Sequence, residues 1–342
     1  MNFYNFNYLH LINDSDVSRG GAQKILSLLV NDNKNVTTLT LKDSFIKIKF
    51  AVLIWQFLLL FLCSIISRPK CVFIHSRCYL PFAIIFRLLG IKVVFYTHAH
   101  YRSHRWLFNC FRCSHYIAVS QAVALSLRTQ GVDPLLIKVI PNPYFGEKYH
   151  ETIYENINYN SFASVGSLKQ WKGFKEAINF LGQVAMKYNN KLLYSIVGEG
   201  PERRSLSVAA HSHHNLELIL IGYQERPFET VTNCPFIIIP SLEEGFGLVA
   251  IESIFQNKII LYSDVPALQE ICSEDQLSFP FNVNSYESFE KAFTKAQSFF
   301  DVLNDAKVLK QRQAFIKRYF GLATFYTNHN KFLIEVCNSE LY

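Results

Sequence analysis

Short β-rich runs alternate with longer helical stretches along most of the chain, and this alternation constrains the fold more than any other feature. Helices placed between strands return the chain to the start of the next strand, so the strands form parallel sheets. From about residue 284 onward the pattern is helical. The sequence therefore predicts an α/β fold with strands at 4–12, 35–41, 71–75, 92–97, 116–120, 137–141, 162–166, 191–198, 216–222, 236–240 and 258–263.

Residues 141–160 interrupt the alternation with two prolines, a glycine and polar residues without a sustained period, which is typical of a linker. A chain of 342 residues also exceeds the roughly 100 to 200 residues of a usual domain. We therefore expect two doubly wound, Rossmann-like domains at 1–150 and 151–320. Residues 321–342 are expected to form a helix that packs back on the first domain. The two domains are expected to face each other across a cleft at the carboxyl ends of both sheets, where such folds bind ligands.

Composition excludes a disordered protein, because half of the residues are hydrophobic and only 18% are charged. The charge is unevenly distributed. Residues 1–150 carry 17 Lys and Arg against 6 Asp and Glu, whereas the remainder carries 17 against 21. A basic first half attracts nucleic acid, a phosphorylated substrate or an anionic membrane surface, and charge alone does not choose among these partners.

Residues 50–67 form an apolar stretch flanked by Lys47, Lys49, Arg68 and Lys70. Its length approaches the ~20 residues of a transmembrane helix. A membrane-spanning helix would separate the strands on its two sides and break the first domain, so we expect a helix that docks on the bilayer surface. An apolar helix packed on the sheet is the alternative. The absence of a secretory signal at the N-terminus and the scattered cysteines predict a cytoplasmic protein.

Residues 243–253 read EEGFGLVAIES and predict a glycine turn followed by a helix. The glycines leave the backbone amides of the turn approachable by phosphate or sugar. Glu244 and Glu252 are eight positions apart, so both side chains can point into one cleft. Carboxylates that each accept hydrogen bonds from two neighbouring hydroxyls would suit ribose or hexose. The alternative is that these acids only favour the helix dipole or solvent.

The stretch PSLEEGFGLVAIES, residues 240–253, resembles the E-x7-E signature of glycosyltransferase family 4, whose members are retaining enzymes with the two-domain GT-B fold. The resemblance covers essentially the whole chain. It implies that Glu244 lies near the donor sugar and that Glu252 binds the ribose hydroxyls of the nucleotide. It also implies that the backbone of the turn contacts the donor at Gly245, Phe246, Gly247 and Leu248.

Other stretches of the second half resemble the same family. VGSLKQWKGF, residues 165–174, is similar to the segment in which an Arg and a Lys hold the donor diphosphate. Lys172 matches the Lys, but Ser167 occupies the Arg position, so a second cation would have to come from elsewhere, such as Arg19. The resemblance implies that the donor also contacts Gly166 and, in IVGEGPER, Gly198. In LIGYQ, Tyr223 either stacks on the base or is a partly buried aromatic residue.

In the first half, SRGGAQKIL resembles the Gly-Gly-Ala turn of the family. There the amides of Gly20 and Gly21 approach the donor phosphate, although a plain turn is an equal alternative. FYTHAHYRSHR places His98 at a strand end where the family carries a histidine against the donor sugar. A lone histidine at such a position is otherwise structural. Together with Lys172 and Glu244, His98 is predicted to be catalytic.

The resemblance implies a retaining glycosyltransferase that moves a hexose from a nucleotide diphosphate sugar to a saccharide acceptor, expected to be lipid-linked, in bacterial O-antigen, capsule or lipopolysaccharide biosynthesis. We expect no cofactor, no required metal and no nucleic acid, and we interpret Asp14-Ser15-Asp16 as a polar loop. The expected location is peripheral, on the inner face of the cytoplasmic membrane. A GT-B nucleotide-sugar epimerase and a non-catalytic, sugar-nucleotide-binding partner subunit are the alternatives, and Ser167 is the departure that keeps the second one open.

Overall fold

The protein divides into two compact units, residues 1–143 with 323–342 and residues 144–322. Each unit holds one parallel sheet. The computed structural model describes residues 8–13, 21–31, 36–40, 61–62, 65–66, 68–103, 105–145 and 159–338. Two Rossmann-like parallel-sheet units confirm the predicted α/β fold.

The sheet of the first unit has the order β2-β1-β3-β4-β5-β6, with every neighbouring pair parallel. All residues of its central strands β3 and β4 are buried, as expected for a sheet covered on both faces. The order reverses between β1 and β3, which creates a crevice at their carboxyl ends. The strands are β1 (Tyr8–Ile12), β2 (Val36–Thr40), β3 (Cys71–Ile74), β4 (Lys92–Thr97), β5 (His115–Ala118) and β6 (Ile137–Val139).

The sheet of the second unit has the order β12-β11-β10-β7-β8-β9, again with parallel neighbours. Its order reverses between β7 and β10, so the corresponding crevice lies at the ends of those two strands. The strands are β7 (Ser161–Val165), β8 (Leu192–Val197), β9 (Leu216–Gly222), β10 (Phe236–Ile239), β11 (Ile259–Ser263) and β12 (Ser278–Phe281).

Strand β12 was not predicted from the sequence. It pairs only with β11, at one edge of the sheet. Pro280 lies within it, and a proline without an N–H group interrupts a strand pattern while remaining compatible with an edge position. Residues 278–281 therefore form a strand because they pair with β11 at the edge of the sheet, although their sequence does not predict one.

Helices separate most of the strands and follow the last one. In the first unit they are α1 (Gly21–Asn31), α2 (Ala83–Leu88), α3 (Arg105–Cys110) and α4 (Gln121–Thr129). Those that follow are α5 (Phe174–Lys187), α6 (Arg203–His211), α7 (Pro227–Thr230), α8 (Leu248–Phe255), α9 (Pro266–Cys272), α10 (Tyr286–Gln297), α11 (Ala306–Phe320) and α12 (Leu322–Asn338).

Helix α12 carries side chains that pack on the sheet of the first unit. The ring of His329 stacks on Phe73 of β3 at a centroid distance of 5.8 Å. Glu335 forms an ion pair with Lys138 of β6 at 3.1 Å. The last helix therefore covers one face of that sheet.

The predicted apolar docking helix lies largely outside the described residues. Only 61, 62, 65 and 66 of its stretch are described, and these four are helical. Among the helices that the structure describes, none combines the length and apolar character needed to cross a bilayer.

A buried ion pair ties α11 to the second sheet. The guanidinium of Arg312 donates to both carboxylate oxygens of Asp275, at 2.7 and 3.0 Å. It also donates to the side-chain oxygen of Asn257 at 3.0 Å and to the backbone oxygen of Lys258 at 2.7 Å. Both side chains of the pair are 2% exposed. Because the guanidinium and carboxylate are paired and further hydrogen-bonded, their burial is tolerated.

We predict that Arg312→Met lowers the free energy of unfolding by about 3 to 5 kcal/mol, because it leaves the Asp275 carboxylate buried without its cation. Urea denaturation followed by circular dichroism measures this loss. The matched control is Lys291→Met, which removes an exposed i,i+4 pair with Glu287 and should cost less than about 1 kcal/mol. Equal stabilities of the two variants would contradict a structural role for Arg312.

Candidate functional site

Three glycines bring the carboxyl ends of β7, β8 and β9 close together. The amide of Gly166 donates to the carbonyl of Val197 at 3.0 Å, and the amide of Gly198 donates to the carbonyl of Gly222 at 2.8 Å. A Cβ atom on Gly198 would overlap the carbonyl oxygen of Gly166, and its φ of +152° is rare for residues with side chains. At this end of the sheet, the surface formed by Gly166, Gly198 and Gly222 therefore consists of backbone atoms, and we call it the glycine surface.

Lys172 and Glu244 come together at the crevice of the second sheet. Lys172 ends the 3-10 turn Gln170–Lys172 in the loop after β7, and Glu244 lies in the loop after the neighbouring strand β10. The ammonium nitrogen of Lys172 lies 2.5 Å from Oε2 of Glu244. The two side chains are 20% and 16% exposed, so solvent still reaches the pair. A cation and a carboxylate predicted from separate motifs thus share one location.

The loops that carry this pair are fastened to each other. The amide of Leu242 donates to the carbonyl of Trp171 at 2.8 Å. The hydroxyl of Ser241 donates to the same oxygen of Glu244 at 3.2 Å. Gly173, directly after Lys172, has a φ of +67°, and a Cβ atom there would overlap the carbonyl of Pro240. Close packing of the two loops therefore positions the ion pair.

The Gly245-Phe246-Gly247 turn leads into α8, as predicted. Gly247 adopts a left-handed conformation with a φ of +108°, and the helix begins at Leu248. The side chain of Phe246 is buried, with its ring 5.9 Å from that of Phe320. The residue at the amino-terminal cap of α8 is Gly247 itself, which has no side chain to cap the helix. Phe246 therefore anchors the turn, so any contact with a ligand would come from its backbone.

The remaining predicted residues of this unit lie on separate elements. Glu252 is on α8, and its side chain is buried with 7% exposure. Ser167, in the loop after β7, is half-buried. Tyr223 follows β9 and is exposed, which leaves its ring accessible for stacking. Their donor contacts stay predictions.

One pair near this site was missed by the sequence analysis. Arg203, the first residue of α6, donates to Glu199 at 2.8 Å and to the backbone carbonyl of Leu220 at 2.9 Å. The pair links the loop after β8 to the end of β9. An acid and an arginine four residues apart are a recognisable helix-surface pattern, but the pattern does not indicate the bond to β9.

In the first unit, His98 directly follows β4, as predicted. Its Nε2 lies 3.0 Å from Nδ1 of His75, the residue after β3. The Nε2 of His75 lies 2.9 Å from Nδ1 of His10 on β1. The three rings thus form a chain across three neighbouring strands. His75 and His10 were not predicted, although each of the three histidines lies in or directly after a buried β-rich run.

Burial keeps the histidines of this chain neutral. Removal from solvent lowers the pKa of His10 to about 3, and the pKa of His98 also to about 3. The pKa of His75 is lowered by burial and by its histidine neighbours. The ring of Tyr96 stacks on His98 at 4.6 Å and on His75 at 5.3 Å. The strand alternation places all of these rings on one face of the sheet.

Part of the predicted glycine turn near the N-terminus lies outside the described residues. This applies to Gly20, as well as to Arg19, which was considered as a substitute cation, and to the Asp14-Ser15-Asp16 loop. Gly21 is described and is the first residue of α1.

Two family models match successive parts of the chain. The model described as Glycosyltransferase Family 4 matches residues 31–144, and the model described as Glycosyl transferases group 1 matches residues 147–312.

Among curated proteins, the chain is 26% identical over 193 residues to an uncharacterized glycosyltransferase of Methanocaldococcus jannaschii, covering 52% of this chain and 47% of that protein. It is 25% identical over 136 residues to the O-antigen biosynthesis glycosyltransferase WclY of Escherichia coli, covering 39% of this chain and 36% of WclY. The chain thus spans less than half the length of these relatives.

Solved structures share the fold along nearly the whole chain. The lipopolysaccharide outer core galactosyltransferase WaaB superposes with a TM-score of 0.74 at 14% identity, covering 96% of this chain and 99% of WaaB. HepE of Anabaena, in complex with UDP and glucose, superposes with a TM-score of 0.73 at 16% identity, with the same coverage of 96% and 99%. The chain therefore contains two successive regions that match glycosyltransferase family models, and it shares the two-domain GT-B fold of these solved structures.

Proposed function

We propose that the protein is a retaining glycosyltransferase that moves a hexose-type sugar from a nucleotide diphosphate sugar to a lipid-linked saccharide acceptor. The observation that carries this proposal is the pairing of Lys172 with Glu244 at 2.5 Å, at the crevice of the second sheet. A cation next to a carboxylate suits the point at which a diphosphate meets a sugar. The ammonium binds phosphate oxygens, and the carboxylate accepts hydrogen bonds from hydroxyls.

The nucleotide is proposed to lie on the glycine surface, next to the Lys172–Glu244 pair. Backbone at Gly166 and Gly198 can approach a ligand closely because neither residue has a side chain. The exposed ring of Tyr223 offers a stacking surface for the base. Glu252 is proposed to bind the ribose hydroxyls, and the amino end of α8 is proposed to receive the phosphates.

The proposed chemistry depends on stabilising the leaving group. As the bond between the sugar and the diphosphate breaks, negative charge accumulates on the diphosphate, and Lys172 with the amides of the 245–248 turn stabilises it. The acceptor hydroxyl attacks the oxocarbenium-like centre from the face that the leaving group vacates and gives its proton to an oxygen of the departing diphosphate. Attack from that face retains the anomeric configuration. Lys172 supplies the cationic contact, and we propose that no metal ion is required. His98 is proposed to contact the donor sugar.

The comparisons support surface polysaccharide assembly as the setting. WclY is named for O-antigen biosynthesis, and WaaB for the lipopolysaccharide outer core. HepE is described in complex with UDP and glucose, which supports a uridine nucleotide sugar as the first donor to test.

Exposed apolar side chains on two helices of the first unit support contact with a membrane surface. Leu88 at the end of α2 is 83% exposed, and Trp106 on α3 is 56% exposed. The side chain of Arg87 donates to the backbone carbonyl of Arg112 at 3.5 Å, which places the end of α2 beside the segment after α3. Aromatic and aliphatic side chains among arginines suit a bilayer with anionic head groups. We propose a peripheral location on the inner face of the cytoplasmic membrane.

Lys172→Ala and Glu252→Ala are each predicted to lower kcat/KM at least tenfold, since losing a charged hydrogen bond costs about 1.5 to 3 kcal/mol. Release of nucleoside diphosphate from a panel of UDP-, GDP- and dTDP-sugars measures this effect. The matched control is Lys175→Ala, an exposed lysine three residues farther along the chain that should retain wild-type activity.

Other results would favour the alternative functions. Conversion of the sugar without transfer would identify an epimerase, and nucleotide binding without turnover would identify a partner subunit. Inversion of the anomeric configuration in a transferred product, read by proton NMR, would contradict the retaining mechanism.

Leu88→Gln combined with Trp106→Gln is predicted to weaken binding to anionic liposomes about tenfold or more, because each side chain loses its transfer into the bilayer interface. Liposome flotation at low and high salt measures binding, and high salt should also weaken it for the wild type. Met186→Gln, an exposed apolar residue of the second unit, is the control. Flotation of the double variant at the wild-type level would exclude Leu88 and Trp106 as the membrane contact.

A further inference from the structure

The chain of His10, His75 and His98 has a property that no single histidine has. A neutral imidazole carries one N–H donor and one bare nitrogen acceptor. His75 uses both of its nitrogens within the chain, Nε2 towards His10 at 2.9 Å and Nδ1 towards His98 at 3.0 Å. The proton of His75 therefore decides the direction of both hydrogen bonds at once.

Only two arrangements of three neutral rings satisfy both bonds. In the first, Nδ1 of His10 donates to His75 and Nδ1 of His75 donates to His98, which leaves the proton of His98 on its Nδ1. In the second, Nε2 of His98 donates to His75 and Nε2 of His75 donates to His10. The three rings thus share one tautomer, with all protons on Nδ1 or all on Nε2.

The free end of the chain is Nδ1 of His98. This atom is buried, and no group in the described part of the chain hydrogen-bonds to it. A buried polar atom without a partner costs about 1 to 3 kcal/mol, so a ligand hydroxyl at this position would recover that cost. The shared tautomer determines whether Nδ1 offers a proton to such a hydroxyl or accepts one.

The surroundings keep the rings neutral. Among the described residues, three titratable side chains pack on the histidine chain or on its aromatic neighbours. Tyr8 of β1 lies 6.3 Å from Phe73, Tyr96 of β4 stacks on His75 and His98, and His329 of α12 lies 5.8 Å from Phe73 and 6.4 Å from Tyr96. Burial lowers the pKa of His329 to about 4, so it is also neutral near pH 7. Burial raises the pKa of Tyr96 and of Tyr8, so both hydroxyls stay protonated. None of these three side chains therefore places a charge beside the coupled rings.

We propose that His75 and His10 are positioning residues that set, through one shared tautomer, the hydrogen-bonding character of His98 Nδ1 towards a ligand hydroxyl. The identity of that hydroxyl as part of the donor sugar rests on the proposed function. The tautomeric coupling itself does not, because it follows from the two hydrogen bonds and from burial.

The direct test is nitrogen-15 NMR of the full-length protein labelled at histidine, recorded at pH 7 and assigned by single substitutions. The shifts of the ring nitrogens distinguish a protonated from a bare nitrogen. The expected result is three neutral rings with the same tautomer. Mixed tautomers among His10, His75 and His98, or a charged ring among them, would overturn the proposal regardless of any activity.

Substitutions test which residue sets the tautomer. His75→Phe keeps a stacking ring but removes both hydrogen bonds, so His98 should show resonances of both tautomers and kcat should fall about tenfold. His10→Phe removes only the far bond, so His75 and His98 should still share a tautomer. If His75→Phe does not fold, the milder His10→Phe variant decides the question, because different tautomers of its two remaining rings would contradict the coupling.

His329→Phe is the matched control, because this residue is buried and stacks on the same aromatic layer without a hydrogen bond to the chain. It should leave the tautomer of His98 unchanged. An unaltered single tautomer of His98 in a folded His75→Phe variant would contradict the positioning role.

If the wild type turns over none of the nucleotide sugars, that result counts against the proposed function. The NMR result would still decide whether the three tautomers are coupled.

Discussion

The ion pair between Lys172 and Glu244 is the interaction on which the proposed donor site depends. It joins the loops that follow β7 and β10, two neighbouring strands between which the order of the sheet reverses. A ligand crevice opens at such a point because the connections after the two strands leave in opposite directions. The glycines after β7 and β8 remove side chains from the same edge. The position of the ion pair and the position of the glycine surface therefore both follow from the strand order of this sheet.

The first unit uses the same topological position with a different chemistry. The order of its sheet reverses between β1 and β3, and the hydrogen bond between His10 and His75 crosses that point. Burial determines the difference between the two sites. Lys172 and Glu244 stay partly exposed and form an ion pair. The histidine chain is removed from solvent and remains neutral.

The sequence predicted the features that arise from local pattern. Alternating strands and helices indicated both sheets, and glycine spacing located the turns at Gly198 and Gly247. Features that depend on long-range contacts were not predictable in this way. Strand β12 carries a proline that only an edge position accommodates, and one hydrogen bond of the histidine chain joins residues 65 positions apart in the sequence. The buried pair of Arg312 with Asp275 likewise depends on the packing of α11.

The proposed function depends above all on the binding of a donor diphosphate at Lys172. Isothermal titration of the wild type and of Lys172→Ala with UDP and with uridine tests this most directly, with GDP and guanosine as the second pair. We expect the substitution to weaken nucleoside diphosphate binding about tenfold while leaving nucleoside binding unchanged, since only the diphosphate carries the charge that Lys172 meets. Equal diphosphate affinities of the two proteins would contradict this role of Lys172.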